Sequence, residues 1–468
     1  MATTSRSADL TSGPMLQKII LFSVPLAASS ILQLLFNAAD VVVVGRFAGS
    51  TALAAVGSNG ALINLLVNLF VGLSLGANVV AARCFGARDE KGVQDTVHTA
   101  VALGLVSGVL LAVVGFCAAR GLLELMSCPE DVIGLSTLYL KIYFIGMPMT
   151  MLYNFSSALL RAVGDTKRPL YCLAAAGVIN VVLNLVFVIG FSMSVAGVAL
   201  ATIISQTVSA LLVTGMLVRE EGALRLDLRR LTFHAGTLKQ ILLIGLPAGL
   251  QSTVFSLSNV VIQSSINSFG SMVVAGNSAS SNLEGFVYTA MNAFAQAAVT
   301  FTSQNIGARK YHNLDRVIRN CLLCVVVTGL VLGGGAALAG NQLLRFYSSD
   351  TAVIATGVER LRLICGFYLL CGIMDVLASS LRGLGYSVLP MVVSLVGVCA
   401  LRLVWIATIF QLNRTPFMLY ISHQLGADCT GASGLPASGT AAPAPEPAAD
   451  TGGIKVATHI SAQQHFWI

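Results

Sequence analysis

Leu16-Gln-Lys-Ile-Ile-Leu-Phe-Ser-Val-Pro25 returns, with conservative changes, as Leu238-Lys-Gln-Ile-Leu-Leu-Ile-Gly-Leu-Pro247, 222 residues later. The correspondence continues outward from these two stretches. Asn37 pairs with Asn259 at the same offset, and at 221 residues Gly86-Ala-Arg88 pairs with Gly307-Ala-Arg309. Leu160-Arg161 with Gly164 and Pro169 likewise pairs with Leu381-Arg382 with Gly385 and Pro390. A fixed long period of this kind marks a duplicated structural unit. Whatever fold one copy adopts, the chain adopts twice.

The unit is a set of membrane helices. Of 468 residues, 56% are hydrophobic and 10% charged, and the mean hydropathy is +0.82. Continuous apolar windows recur near the roughly 20 residues that a helix needs to cross a bilayer. A transmembrane β-barrel instead needs alternating segments of about ten residues. Eleven spans are predicted, centred near Ile31, Leu65, Leu105, Phe144, Asn180, Ser205, Val254, Met291, Val326, Phe367 and Val398. The first is too long for a signal peptide and lacks a small-residue cleavage pattern, so it is expected to be retained.

The +7 net charge reports topology rather than nucleic acid. Eighteen of the 27 Lys and Arg fall before the first span or in the connectors after even-numbered spans. The positive-inside rule therefore puts the N-terminus and those connectors in the cytoplasm. A unit of six spans repeats without inverting, which predicts two lobes related by an axis along the membrane normal, the parallel-repeat plan of many secondary transporters. A binding cavity between the lobes is the matching expectation. The boundaries expected are a cytoplasmic segment at 1–14, an N-terminal six-helix lobe at 15–218, a linker at 219–239, and a C-terminal lobe of five recognisable helices at 240–411. The twelfth helix is missing from this reading. From 412 to 468 the chain turns to Ala, Pro, Gly, Ser and Thr, a disordered composition that fits a frameshifted gene end or a tail in place of that helix.

Polar residues inside such spans are costly and usually face an interior cavity. In span one Gln33, Asn37 and Asp40 are spaced four and then three apart, on one helical face; the alternative for Asp40 is contact with water or Arg46. Span eight carries Glu284, Tyr288, Asn292 and Gln296 at intervals of four, a stripe fit for a cavity or for interhelical hydrogen bonds. Span ten has Asp375, Ser379 and Arg382, where an internal ion pair competes with a transport role. Asn180 and Asn184 in span five form an i,i+4 amide pair. Lys141, Arg360, Arg362 and Arg402 lie toward span ends, where long side chains are expected to snorkel to the interface.

Other chemistries lack their motifs. The chain has no Gly-x-x-x-x-Gly-Lys-Ser/Thr loop and no His-Glu-x-x-His or Gly-x-Ser-x-Gly sequence, so nucleotide-driven, metalloprotease and serine-hydrolase functions have no support. Cys321-Leu-Leu-Cys324 has redox or zinc spacing but lies in an apolar helix without a second pair, and reads as structural. Gly72-x-x-x-Gly76 and Gly104-x-x-x-Gly108 predict close helix packing.

Asn37-Ala-Ala-Asp40 with Val44-Gly45, Gly86-Ala-Arg88, Leu160-Arg-Ala-Val-Gly-Asp-Thr166 and Asn180-Val-Val-Leu-Asn184, together with the repeat, resemble the multidrug and toxic compound extrusion (MATE) family over roughly residues 15 to 410. The resemblance implies an antiporter of two six-helix lobes that exports organic cations or drugs in exchange for protons or sodium ions, without cofactor or enzymatic activity. It implies a multi-pass monomer in the bacterial cytoplasmic membrane, with no nucleic-acid partner. Asp40 resembles the span-one carboxylate whose protonation alters the helix and releases substrate. Glu284 and Asp375 are the further acidic candidates for ion coupling. Gln33, Asn37, Asn180, Asn184, Tyr288, Asn292 and Gln296 are the expected cavity residues. Asn184 stands where relatives often carry aspartate, and span seven lacks the glutamate of a sodium-linked branch, so the coupling ion stays open. The alternatives are a lipid-linked oligosaccharide flippase, which would need a cationic cavity, and an inactive truncated membrane protein.

Overall fold

The computed structural model describes residues 9–126, 128–347 and 350–422. They form helices α1 (Met15–Phe47), α2 (Ser50–Gly86), α3 (Glu90–Leu125), α4 (Glu130–Ile145), α5 (Met147–Ala162), α6 (Lys167–Leu185) and α7 (Ser194–Val218). After a polar stretch come α8 (Ala235–Asn267), α9 (Ser271–Gly307), α10 (Leu314–Thr328), α11 (Gly334–Leu344), α12 (Thr351–Leu384), α13 (Val388–Ser394), α14 (Leu401–Ala407) and α15 (Ile409–Leu412). The π-helical turns Val186–Gly190, Gly329–Gly333 and Leu395–Ala400 continue α6, join α10 to α11 and join α13 to α14. Each of the eleven predicted centres lies within one of these helices or joining turns. Among the described residues eight stretches are long and apolar enough to cross a membrane, and two more qualify as bent pairs. The remaining one is α9, which carries the polar stripe.

The backbone repeats where the sequence does. Arg88 and Arg309, which end the two Gly-Ala-Arg motifs, both take a left-handed conformation, with φ of 57° and 55°. Their amides donate to Phe85 and Ile306, each at 3.0 Å, so each motif is a helix C-cap. Gly164 and Gly385 do the same after α5 and α12, with φ of 87° and 100° and amides 2.9 Å from the Arg161 and Arg382 carbonyls. An L-residue in that region costs about 1–2 kcal/mol. Gly385→Ala is therefore expected to lower the melting temperature of purified protein, whereas Arg88→Gly raises it or leaves it level.

The bends repeat as well. α4 and α5 meet at 48° around Gly146, and α12 turns by 43° around residue 367, which lies 221 positions later. Pro148 accounts for the first bend, because its ring excludes the helical carbonyl four residues back. Pro25 and Pro247 instead sit inside unbroken helices.

The described residues divide into two compact units. One is built on Ala28–Thr253, and the other on Leu10–Ala27 with the described residues from Val254 onward. α1 and α8 thus each give their first part to one unit and their second part to the other, shortly after the two prolines.

In the first unit α3 shows how sequence sets the packing. Val106, Val109, Leu110 and Val113 are exposed on one stripe, while Gly104, Gly108, Leu111 and Gly115 are buried on the opposite one. A Cβ on Gly108 would strike Pro148, and one on Gly115 would strike the Phe144 ring. α2 meets the first part of α8 at similarly close range, backbone against backbone. A Cβ on Gly72 would lie 2.8 Å from the Gly245 carbonyl, and one on Gly76 would lie 2.9 Å from the Gly245 amide and meet the Ile241 carbonyl. Both small-residue motifs pack closely, as predicted: Gly72, Gly76 and Gly108 face neighbouring backbone, and Gly104 faces the Phe155 side chain. Gly76→Leu is expected to cost folding at or beyond the upper end of about 1–3 kcal/mol for overpacking. The check is monodisperse yield, with Gly121→Leu, where nothing lies within 4 Å of the added Cβ, as a control near wild type.

The polar stretch between α7 and α8 folds back on α3. The Asp227 amide donates to His98 Nε2 at 3.2 Å, the His234 amide donates to Thr99 Oγ1 at 3.2 Å, and His234 Nε2 lies 3.4 Å from Asp95 Oδ1. In the second unit the main core joins Ile19, Phe22 and Leu26 to Phe301, Val317, Cys321, Cys324 and Val325. Both cysteines of the Cys-x-x-Cys pair are buried there. Of the segment from 412 that composition reads as disordered, residues 416–422 are helical. Pro416 opens this turn, where its missing N–H costs nothing, and Leu419 packs with Ile262, Ile266, Ile406 and Phe410. Residues 423–468, including most of the expected place of a twelfth helix, lie outside the described residues.

Candidate functional site

The second part of α1 carries Asp40 into the interior of the first unit, where the residue is 8% exposed. Its carboxylate accepts a hydrogen bond from Asn184 Nδ2 on α6 and one of 3.4 Å from Thr202 Oγ1 on α7. Asn184 Nδ2 also donates to Asn180 Oδ1 at 3.2 Å. The i,i+4 spacing of the two asparagines is what sets this up, one helical turn placing the second amide above the first. Tyr139 and Tyr143, stacked 6.0 Å apart on α4, are within electrostatic reach of Asp40. Among the described residues Asp40 forms no ion pair, and its two hydrogen-bond donors are neutral. The contact with Arg46 weighed from sequence is not made. Gln33 and Asn37 are exposed on α1, apart from the cluster that holds Asp40.

The second unit answers with a longer network between α9 and α12. Glu284 Oε2 lies 2.8 Å from Arg360 Nη1, and Tyr368 Oη donates to Glu284 Oε1 at 2.7 Å. The Tyr368 ring is 6.2 Å from that of Tyr288, and Tyr288 in turn is within electrostatic reach of Asp375. Gln296 Nε2 donates to Asn292 Oδ1 at 3.1 Å, and Arg382 lies within electrostatic reach of Asp375. The stripe Glu284, Tyr288, Asn292 and Gln296 is thus one wall of a polar seam. The other wall is Arg360, Tyr368, Asp375 and Arg382, spaced eight, seven and seven apart along α12. Ile262, the repeat counterpart of Asp40, packs instead in an apolar cluster with Ile406.

Two basic residues depart from the snorkelling expectation. Arg360 and Arg402 are buried, at 5% and 6% exposure. Arg360 pairs with Glu284 and lies 5.8 Å from the Tyr420 ring centroid, and Arg402 Nη1 donates to Asn259 Oδ1 at 3.2 Å. Position along the span located these side chains near its end, but helical phase turns them inward. Arg362 is exposed, and Lys141 rests over Phe116 at 5.1 Å. Sequence reading also passed over Thr202, Tyr139 and Tyr368, and read Asn259 only as the repeat counterpart of Asn37. The near-heptad spacing on α12 was the available signal for Tyr368 and Arg360.

The model of the family described as MatE matches this chain twice, over residues 25–186 and 247–407. The chain belongs to the MatE family. The two matches begin 222 residues apart and end 221 apart, the period read from the two proline-ended stretches. Two Bacillus subtilis relatives are each 30% identical. One, a probable multidrug resistance protein YoeA, aligns over 80% of this chain and 82% of its own length. The other, a probable multidrug resistance protein YpnP, aligns over 85% and 89%. The fold matches the outward-facing structure of a multidrug resistance MATE family transporter with a TM-score of 0.86, at 21% identity, over 99% of this chain and all of the other. This MatE protein is therefore a multi-span membrane transporter rather than an enzyme. Among its described residues no three His, Cys, Asp or Glu side chains gather as a metal site requires.

Proposed function

We propose that this MatE chain is a secondary multidrug efflux antiporter that exports organic cations or drugs in exchange for protons or sodium ions. The supporting observation is Asp40, a buried carboxylate whose hydrogen-bond donors, Asn184 and Thr202, are neutral. A buried charge is costly unless it is paired, so such a group is completed by a proton or a small cation. Asn180 and Asn184 position it, and Gln33 and Asn37 on the exposed face of the same helix offer polar contacts to substrate. In the second unit Glu284 is committed to Arg360, which leaves Asp375 as the acidic group there for a further ion. Tyr288, Asn292 and Gln296 complete that seam.

The positive-inside pattern supports a cytoplasmic N-terminus and a linker at 219–239 on the same side. The setting proposed with it is a bacterial cytoplasmic membrane with one chain per transporter. A flippase for lipid-linked oligosaccharides would draw on the buried Arg360 and Arg402, but Glu284 neutralises the first. The deciding experiment is efflux of a cationic dye from inverted vesicles under an imposed proton gradient and then a sodium gradient. Transport under one of them fixes the coupling ion, and its absence under both removes the antiporter reading.

A further inference from the structure

Leu10–Pro14 forms a strap over the turn between α9 and α10, all within the second unit. The Leu10 amide donates to Gln304 Oε1 at 3.2 Å, and Asn313 Nδ2 donates to the Thr11 carbonyl at 3.0 Å. Lys310 Nζ donates to the Thr11 carbonyl at 3.2 Å and to Thr11 Oγ1 at 2.9 Å. Gly13, at φ 78°, turns the strap into the first turn of α1. Between strap and α10 lies a cavity of about 580 Å³. His312, Arg316 and Asn320, at intervals of four, line one side of it. The other side is the strap and the start of α1, Met15 and Leu16, where backbone N–H groups precede any intrahelical acceptor.

Three basic side chains, Lys310, His312 and Arg316, therefore meet the positive end of a helix dipole, and among the described residues no carboxylate lines the space. The one acid beside them in sequence, Asp315, is exposed, as are His312 and Arg316, but unlike them it is not part of the lining. Helix N-termini favour anions, the arginine fork matches the geometry of phosphate oxygens, and basic pockets at the ends of membrane helices take phosphorylated headgroups. We propose that this cavity binds a phosphate group, carried either by an anionic phospholipid or by free phosphate, and that the bound group fastens the strap to α10. This site shares no residue with the proposed drug and ion path, and its test reads binding and not transport.

Full-length protein in neutral detergent is analysed by native mass spectrometry with phosphatidylglycerol and, separately, phosphatidylcholine, and by titration calorimetry with inorganic phosphate. Arg316→Gln is expected to weaken phosphatidylglycerol binding about fivefold, the effect of one basic residue near a headgroup, and His312→Gln/Arg316→Gln to weaken it further. Arg316→Lys, which keeps the charge, retains most of it. That pattern with phosphatidylglycerol but not inorganic phosphate assigns a lipid headgroup, and the same pattern with inorganic phosphate alone assigns free phosphate. Three results overturn the site: equal retention of both lipids with no phosphate binding, affinity unchanged in the double variant, or equal losses in Arg316→Lys and Arg316→Gln.

Discussion

Asp40→Asn abolishes gradient-driven dye efflux, leaving vesicles at the level of an empty-vector control, while membrane level and melting temperature stay near wild type. The substitution keeps shape and hydrogen bonding, because an amide Oδ1 accepts from Asn184 Nδ2 as the carboxylate does. It removes the ability to alternate between charged and neutral states. No ion pair is broken, since Asp40 makes none among the described residues, so the large buried-charge penalties that accompany a lost partner do not arise. The expected loss is therefore functional and not structural. Thr202→Val, which removes the weaker 3.4 Å donor, is expected to retain measurable efflux, because Asn184 still holds the group. Wild-type efflux in Asp40→Asn would remove this carboxylate from the ion path.

The helices and their duplication were legible in the sequence because each depends on local or periodic information. Continuous apolar runs set the spans, and the Gly-Ala-Arg and Leu-Arg-x-x-Gly motifs proved to be the C-caps that end helices at matching positions. The packing glycines were legible for the same reason, as spacing alone places Gly72 and Gly76 on one face. The partners of the candidate site were not, because they come from other helices. Nothing local distinguishes Thr202 from the other hydroxyls of α7, yet it is the one that reaches Asp40. Arg360 and Arg402 were placed by depth along the span, which carries no information on which way a side chain points. Both bends emerged only from the structure: Pro148 stands beside the one at Gly146, whereas its counterpart at residue 367 has no proline.

The Glu284–Arg360 pair carries the opposite expectation to Asp40. Both partners are buried, and the ion pair of 2.8 Å joins α9 to α12 across the main seam of the second unit. Glu284→Gln leaves the Arg360 guanidinium buried without its counter-charge, a change that typically costs about 3–5 kcal/mol. Sharply reduced monodisperse yield and a lowered melting temperature are expected from this variant. Replacing both groups, as in Glu284→Gln/Arg360→Met, removes the stranded charge, and buried pairs exchanged for uncharged side chains are often neutral in stability. The double variant is therefore expected to recover most of the stability lost by the single one. Efflux is expected to return with it on the reading that Glu284 serves to neutralise Arg360 and not to exchange an ion. Recovery of folded protein without recovery of efflux would reverse that assignment, placing a second coupling carboxylate at Glu284 and making Arg360 the group it releases when it is protonated.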